Sequence, residues 1–494
     1  MDLALVVLLA SQLLARTLVQ AQEPAATPEP ARPSVLFWLI DTCRADHLSL
    51  YGHERATTPF LERLGKEGVV FERCYSQAPW TKPSMSSILT SQYPSRHGST
   101  QMFQPLLDSF VTLPEVLGAA GWTTAGFSAN PVMGSFTNLD QGFASFRDSW
   151  TMIQGESPMD YASGSAAKIV PHAFEWLAKN ERRPFFLYMH SLDPHEWYAP
   201  AEEFKAKFAD PAGEPKFRAD WDTLMAAHED IVNTCTQKTF DAAGVEVGPF
   251  IDYAERLYDA DILANDTAIE PLFERLRAEN VLVIVTADHG TEFFEHGATS
   301  LGHSLYDEMI HVPLLLWAPG RLPAGLRFRE PVRSIDIYPT LLELLGIAVP
   351  EELAGESLVS WIRAGKAAQP RTVFADNIEE LTTEQFGGSQ RSTGSNGESF
   401  AVIRWPWKLI LHQKPRLGLT LPRHELFHLE RDPAETKNEA AAQPELVKEL
   451  EDLILAHVDE GGAADLPLPP EAELDPEARK ALEGLGYLGD DEDD

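Results

Sequence analysis

The sequence has little cysteine, few basic residues and almost no long apolar runs. Its 494 residues include 3 cysteines: Cys43, Cys74 and Cys235. So few thiols, and an odd number of them, exclude a disulfide scaffold, and no CxxC or Cys/His cluster offers a thiolate metal site. They read as small buried hydrophobes, with a Cys43–Cys74 pair left open. Lys and Arg total 40 against 75 Asp and Glu, a formal net charge of −35. No general basic surface exists to neutralise phosphates, which excludes nucleic acid as a partner. The one apolar stretch of note, Leu3–Leu14, is too short for a stable span. With the small residues at Val19-Gln20-Ala21 it reads as a signal peptide over residues 1–21. Its first residues carry Asp2 and no cation, so an uncleaved anchor is the alternative. The expected localisation is export, periplasmic or extracellular, with no stable membrane span after cleavage. Residues 22–33 form a Pro/Ala linker.

What is present suits a large globular enzyme. Hydrophobic residues make up 44% of the chain, enough for a sizeable core. Ser34–Ile40 is a continuous apolar run, as a strand buried on both faces requires. Similar strands are predicted at Trp122–Ser128, Phe185–His190, Val281–Thr286 and Val312–Trp317. Helices are predicted over Thr58–Gly68, Pro83–Thr90, Thr112–Ala120, Ala166–Lys179, Ile251–Asn280 and Ile335–Leu345. Strands alternating with helices indicate an α/β fold with a mostly parallel sheet covered on both faces. After residue 365 the pattern changes. A Gly/Ser-rich loop at Gly387–Gly397 precedes short strands at Phe400–Arg404, Lys408–His412 and Glu425–His428, then a helix at Leu446–Val458. The expected domains are 34–365, catalytic, and 366–460, a small antiparallel sheet with a helix. Residues 461–494 read as an acidic, solvated tail.

Three apolar strands end in polar residues. The first ends at Asp41, another at Asp288 and His289, and a third is followed by Asp193 and His195. In open α/β sheets the ligand site lies beyond the carboxyl ends of the strands, so these groups can converge. Two carboxylates and an imidazole make a reasonable cage for a divalent metal. Thr81 precedes a helix, where free N–H groups favour an anion, and metal coordination would lower its pKa. Taken singly, each of these residues also reads as a helix cap or a turn residue.

Several blocks, in order, resemble the sulfatase-like branch of the alkaline phosphatase superfamily from about Ser34 to Leu455. They are Asp41-Thr42-Cys43-Arg44-Ala45-Asp46-His47, Thr81-Lys82-Pro83-Ser84-Met85, Ala287-Asp288-His289-Gly290, Gly302-His303 and Asp336-Ile337-Tyr338-Pro339-Thr340. The resemblance implies an alkaline-phosphatase-like α/β/α sandwich. It also implies metal-dependent hydrolysis of anionic esters. Metal ligands are expected at Asp41, Thr81, Asp288 and His289. Catalytic roles are expected for Thr81, His195 and His303, and substrate contacts for Lys82 and Asn130. Asp193, His195 and His303 are candidates for a second metal. His47, His97 and His296 lie in or near these blocks without an assigned role.

The departures shape the chemistry expected. Sulfatases of this type carry Cys-x-Pro-x-Arg, or Ser first, and the first residue becomes formylglycine. Thr81 cannot be so converted, and Met85 stands where the Arg would be. His289 stands where many calcium-dependent members have Asn, which favours Zn²⁺ or Mn²⁺ over Ca²⁺. The expectation is therefore phosphate mono- or diester hydrolysis, or phosphoryl transfer, through a Thr81 covalent intermediate. The alternatives are a sulfatase without formylglycine and a non-catalytic binding protein that keeps the fold. The substrate is a small-molecule, glycan or lipid-linked ester. Its identity and the oligomeric state are not legible. Residues 199–250, with Trp197 and Tyr198 just ahead, are the expected specificity segment.

Overall fold

The computed structural model describes residues 32–153, 164–180, 184–227, 234–378, 398–414, 421–463, 466–467 and 474–484. The predicted Gly387–Gly397 loop and the signal segment lie outside these residues. At the centre stands β1, Ser34–Ile40, whose seven residues are all buried. Its apolar sequence fits because parallel neighbours flank it: β5, Phe185–Ser191, on one side and β6, Val281–Ala287, on the other. The nine-stranded sheet also includes β2 (Val69–Tyr75), β3 (Thr123–Ser128), β4 (Ser145–Arg147) and β9 (His311–Trp317). Its order is β10-β2-β9-β6-β1-β5-β3-β4, where β10 is Leu326–Phe328, and β11 (Val332–Arg333) pairs with β2 off that path. Every pairing is parallel except those of β9 with β2 and β6. The mixed α/β fold with a mostly parallel central sheet is as expected. β2 was not foreseen, because Glu72 and Arg73 interrupt its apolar run.

The helices begin where the sequence offers a start signal. Pro59–Glu67 opens on a proline, and Leu113–Ala119 is closed at its N-terminus by a Thr112–Glu115 capping box. The long helix Val247–Arg277 starts four residues before the predicted Ile251 and ends three before Asn280. Three helices in the specificity segment, Glu202–Phe208, Glu214–Ala227 and Gln237–Ala243, were unforeseen.

The second, four-stranded sheet is antiparallel, in the order β12-β13-β14-β15. Its strands are Val373–Ile378, Glu398–Arg404, Trp407–Lys414 and His424–His428. The helix Pro444–Gly461 packs Val447, Leu450 and Ile454 onto Val402, Leu409 and Leu411. The acidic terminal segment needs correction. Pro476–Gly484 is a helix that buries Ala478, Ala481 and Leu482, so this part is docked rather than solvated. Among the described residues no helix is long and apolar enough to cross a membrane.

The small sheet is tied to the short helix Pro94–His97 through Asp376. Its carboxylate accepts hydrogen bonds from Ser95 N at 3.0 Å and His457 Nε2 at 3.0 Å. Burial pushes the Asp376 pKa up, but His457 and Ser95 outweigh it and hold it below the ordinary value. A depressed carboxylate stabilises the fold above its unfolded pKa, and that contribution is lost as pH falls through the folded one. Asp376→Asn should therefore cost about 1.5–3 kcal/mol at pH 7 in urea unfolding. The gap to wild type should close below about pH 4. An equal gap at pH 3 and pH 7 would remove the ionic part of this account.

Candidate active site

The sheet register brings the distant motifs together. Ile40 pairs with Ala287 on one side and with Ser191 on the other. Asp41 and Asp288, one residue further on, therefore leave the sheet side by side. Ser128 of β3 pairs with His190 of β5, which delivers Asn130 and His190 to the same end. Thr81 is the first residue of the helix Thr81–Thr90 and meets them from outside the sheet.

The resulting cluster is completely buried: Asp41, Thr81, Asn130, His190, Asp288 and His289 are each 0% exposed. Oxygen and nitrogen atoms of Asp41, Asp288 and His289 lie within 4.8 Å of one another. Thr81 Oγ1 is 3.2 Å from His289 Nε2 and 3.4 Å from Asn130 Nδ2. Asn130 Nδ2 also donates to Asp41 Oδ2, and Asn130 Oδ1 accepts from Val132 N. His190 Nε2 donates to Asp41 Oδ2 at 2.8 Å. Thr42 contributes twice, its hydroxyl donating to Asp41 Oδ1 at 2.6 Å and its N–H to Asp288 Oδ1 at 3.0 Å.

These residues fit a divalent cation on two observations. Asp288 Oδ1 is held by Thr42 N and His289 N, while Asp288 Oδ2 is buried with no hydrogen-bond partner among the described residues. His289 Nδ1 donates to the Gly290 carbonyl at 2.8 Å, which leaves the Nε2 lone pair on the cluster side. The electrostatics agree. Burial raises the Asp41 pKa, but hydrogen bonding and charge from His190 more than reverse this. Burial and the neighbouring charge of Asp41 push Asp288 up. Two adjacent buried carboxylates are costly unless a cation lies between them.

Not every predicted site residue joins the cluster. His195 does: it acts on Asp41, and Asp41, His289 and Asp288 act on it, while burial holds its pKa below the ordinary value. The carboxylate of Asp193, a second-metal candidate, is engaged at a helix start. Its two oxygens accept from Ser165 N and Ala166 N, each at 2.9 Å, so it caps the helix Ser165–Lys179. Lys82, expected to contact substrate, points its ammonium at the carbonyls of Gln101 and Gln104. Burial lowers its pKa to about 7. His303 Nε2 is paired with Glu292 Oε2 at 2.7 Å, beside the hairpin of β7 (Glu292–Phe293) and β8 (Thr299–Ser300). That pairing engages the nitrogen a second metal would need. A separate group, His47, His53 and Asp259, also has the composition of a metal site. There Arg55 already donates to the Asp259 carboxylate and balances its charge.

His190 and Thr42 are site residues that motif reading did not single out. The signal for His190 was available, since it ends a buried apolar strand and nothing apolar explains an imidazole there. Thr42 lies in the first block of the resemblance without a role of its own.

A family profile described as "Sulfatase" matches residues 33–347. The chain belongs to the sulfatase family. A second profile, "N-sulphoglucosamine sulphohydrolase, C-terminal", matches residues 295–459. An N-acetylglucosamine-6-O-sulfatase of Bacteroides thetaiotaomicron is 24% identical over 405 residues, 67% of this chain and 71% of that protein. Arylsulfatase K of Bos taurus is 25% identical over 459 residues, 85% of this chain and 81% of the relative. Among solved structures, the phosphonate monoester hydrolase of Agrobacterium radiobacter superposes with a TM-score of 0.68 at 20% identity, covering 87% of this chain and 96% of that one. Membership makes this sulfatase-family chain a metal-dependent ester hydrolase. The activities named for these relatives favour the sulfate-ester alternative over the phosphate-ester reading drawn from Thr81.

Proposed function

We propose that the chain is an exported hydrolase of carbohydrate sulfate esters that uses the Thr81 hydroxyl directly, without formylglycine. The observation that carries this reading is Thr81 Oγ1, a side chain with no route to the aldehyde, lying 3.2 Å from His289 Nε2, itself grouped with the buried carboxylates of Asp41 and Asp288. Relatives named for N-acetylglucosamine-6-O-sulfate and hexuronate-2-O-sulfate support the substrate class. Asp41, Asp288, His289 and Thr81 are the residues to hold the divalent metal. When bound, it supplies positive charge to the non-bridging ester oxygens and acidifies the hydroxyl. The imidazole of His289 favours Zn²⁺ or Mn²⁺ over Ca²⁺.

The protein's own groups then act as follows. Asn130, fixed by Asp41 and Val132, orients Thr81 Oγ1. Oγ1 attacks sulfur, and the bond from sulfur to the leaving alcohol breaks. His195, kept neutral by burial, takes the Thr81 proton and gives it to the departing oxygen. Water then attacks the sulfur of the threonine sulfate. The bond from sulfur to Oγ1 breaks, Thr81 regains a proton, and hydrogen sulfate leaves and ionises.

A second reading, phosphate or phosphonate ester hydrolysis, rests on the same hydroxyl, since a phosphothreonine ester is open to attack by water. The phosphonate hydrolase likeness supports the fold of that reading only. A panel of 4-nitrophenyl sulfate, N-acetylglucosamine 6-sulfate, 4-nitrophenyl phosphate and phenylphosphonate esters separates the two. The sulfate esters should have the highest kcat/KM. A phosphate or phosphonate ester turned over more than about tenfold better would reverse the order. No turnover of any member by metal-loaded protein would favour a binding protein.

A further inference from the structure

A chain of polar side chains runs from the Asp41 carboxylate back into the apolar core. Residues two apart in a strand share a face, so Tyr188 lies on the same face of β5 as His190, one layer further from the strand end. Residues four apart in a helix also stack, so Met85 lies one turn along from Thr81. The two layers meet: the Tyr188 hydroxyl is 3.0 Å from His190 Nδ1 and 3.8 Å from Met85 Sδ. Tyr188, His190 and Met85 are all completely buried.

Where the one phenolic hydrogen goes follows from these neighbours. Burial, with the charges of Asp288 and Asp41, pushes the Tyr188 phenol well above its ordinary pKa, so the hydroxyl keeps its hydrogen. A thioether is a weak acceptor and an imidazole nitrogen a good one, so the hydroxyl donates to His190 Nδ1. The other nitrogen, Nε2, then carries the hydrogen that His190 donates to Asp41 Oδ2 at 2.8 Å. Asn130 Nδ2 donates to the same oxygen. A carboxylate oxygen has about two acceptor positions, so Oδ2 is filled. Asp41 Oδ1 accepts from the Thr42 hydroxyl and keeps one position open.

Packing does not account for this chain. β5 is buried along its whole length, and a Phe and a Leu at these two positions would fill the same space with no buried polar group to satisfy. The phenol and the imidazole are retained with partners, and those partners lead to one atom, Asp41 Oδ2.

We propose that Tyr188 is a positioning residue of the metal site: its hydroxyl sets the tautomer and ring orientation of His190, and His190 holds Asp41 with one acceptor position of Oδ1 left for the cation. The proposal rests on Asp41 being a metal ligand, as in the reading above, and is independent of which ester is hydrolysed.

Titration of the metal-free full chain with Zn²⁺, and separately with Mn²⁺, against a competing chelator tests it. Tyr188→Phe keeps the ring contacts with Phe37 and Phe143 and should weaken metal binding about tenfold. His190→Leu should weaken it about a hundredfold. Because Tyr188 acts through His190, Tyr188→Phe should change Kd less than about twofold when made in the His190→Leu background. Met85→Leu alters the packing around the hydroxyl without touching its bond to His190, and should leave Kd within about twofold of wild type. Metal binding by Tyr188→Phe equal to that of wild type overturns the proposal, whether or not His190→Leu folds. An equal loss in Met85→Leu, or an undiminished effect of Tyr188→Phe in the His190→Leu background, overturns it as well. Wild type that binds neither ion overturns the metal reading and the proposal with it.

Discussion

Thr81→Ala should reduce kcat/KM for the best sulfate ester by about 10⁴-fold or more, because removing a nucleophile removes the route and not only a contact. The residual rate comes from water admitted to the space of the lost hydroxyl and methyl groups, still facing the same metal site. Folding should be little affected. Thr81 starts a helix without capping it through its side chain, Ala is a good helix former, and the loss is about one neutral hydrogen bond, near 1 kcal/mol. Thr81→Ser keeps an oxygen at the same place and should retain activity within about tenfold of wild type. The covalent step has its own readout. Rapid acid quenching during turnover should leave one sulfuryl group on the peptide containing Thr81, and none in Thr81→Ala. Activity that survives Thr81→Ala would assign the attack to water and reduce Thr81 to a metal ligand.

Much of this was legible because the sheet is parallel. A strand buried on both faces must be apolar throughout, so the position where its sequence turns polar marks its end, and in a parallel sheet all such ends face one crevice. Asp41, Asp288 and His289 were read on that basis, and the register of β1 with β6 explains why they meet. Where this logic failed, the direction of a side chain was at stake. Asp193 follows a strand end as Asp288 does, yet it turns back to N–H groups 28 and 27 residues upstream that no local pattern ties to it. Lys82 adjoins Thr81 in sequence, but successive helix residues point about 100° apart, and its ammonium reaches Gln101 and Gln104 instead. His303 finds Glu292 across a hairpin too short to register as two strands. Strands β2 and β12 were missed for the opposite reason: charged residues within them, Glu72 with Arg73 and Asp376, are satisfied by tertiary partners absent from any local window.

Asp288→Asn should abolish metal binding and turnover together, with opposite effects on stability depending on whether metal is present. In the metal-free protein, Asp41 and Asp288 are two buried carboxylates offset by His190, His195 and His289, and burial together with the charge of Asp41 raises the pKa of Asp288. Removing one charge relieves their repulsion. Asparagine keeps an oxygen where Asp288 Oδ1 accepts from Thr42 N and His289 N, and turns its amide toward His289 Nε2. The metal-free variant should therefore melt at or above the temperature of metal-free wild type. With saturating metal the order reverses, because only wild type gains the binding free energy, about 2.7 kcal/mol at one hundred times the dissociation constant. Metal content by elemental analysis should fall close to zero in the variant, with kcat/KM down about 10³-fold or more. A carboxylate that serves structure alone would instead destabilise both forms and leave metal content unchanged. The same measurement identifies the ion. Wild type should retain Zn²⁺ or Mn²⁺ against excess Ca²⁺, and His289→Asn, by exchanging a borderline nitrogen for a hard oxygen, should shift retention toward Ca²⁺. Retention of Ca²⁺ by wild type would show that the two carboxylates outweigh the imidazole in setting the preference of the site.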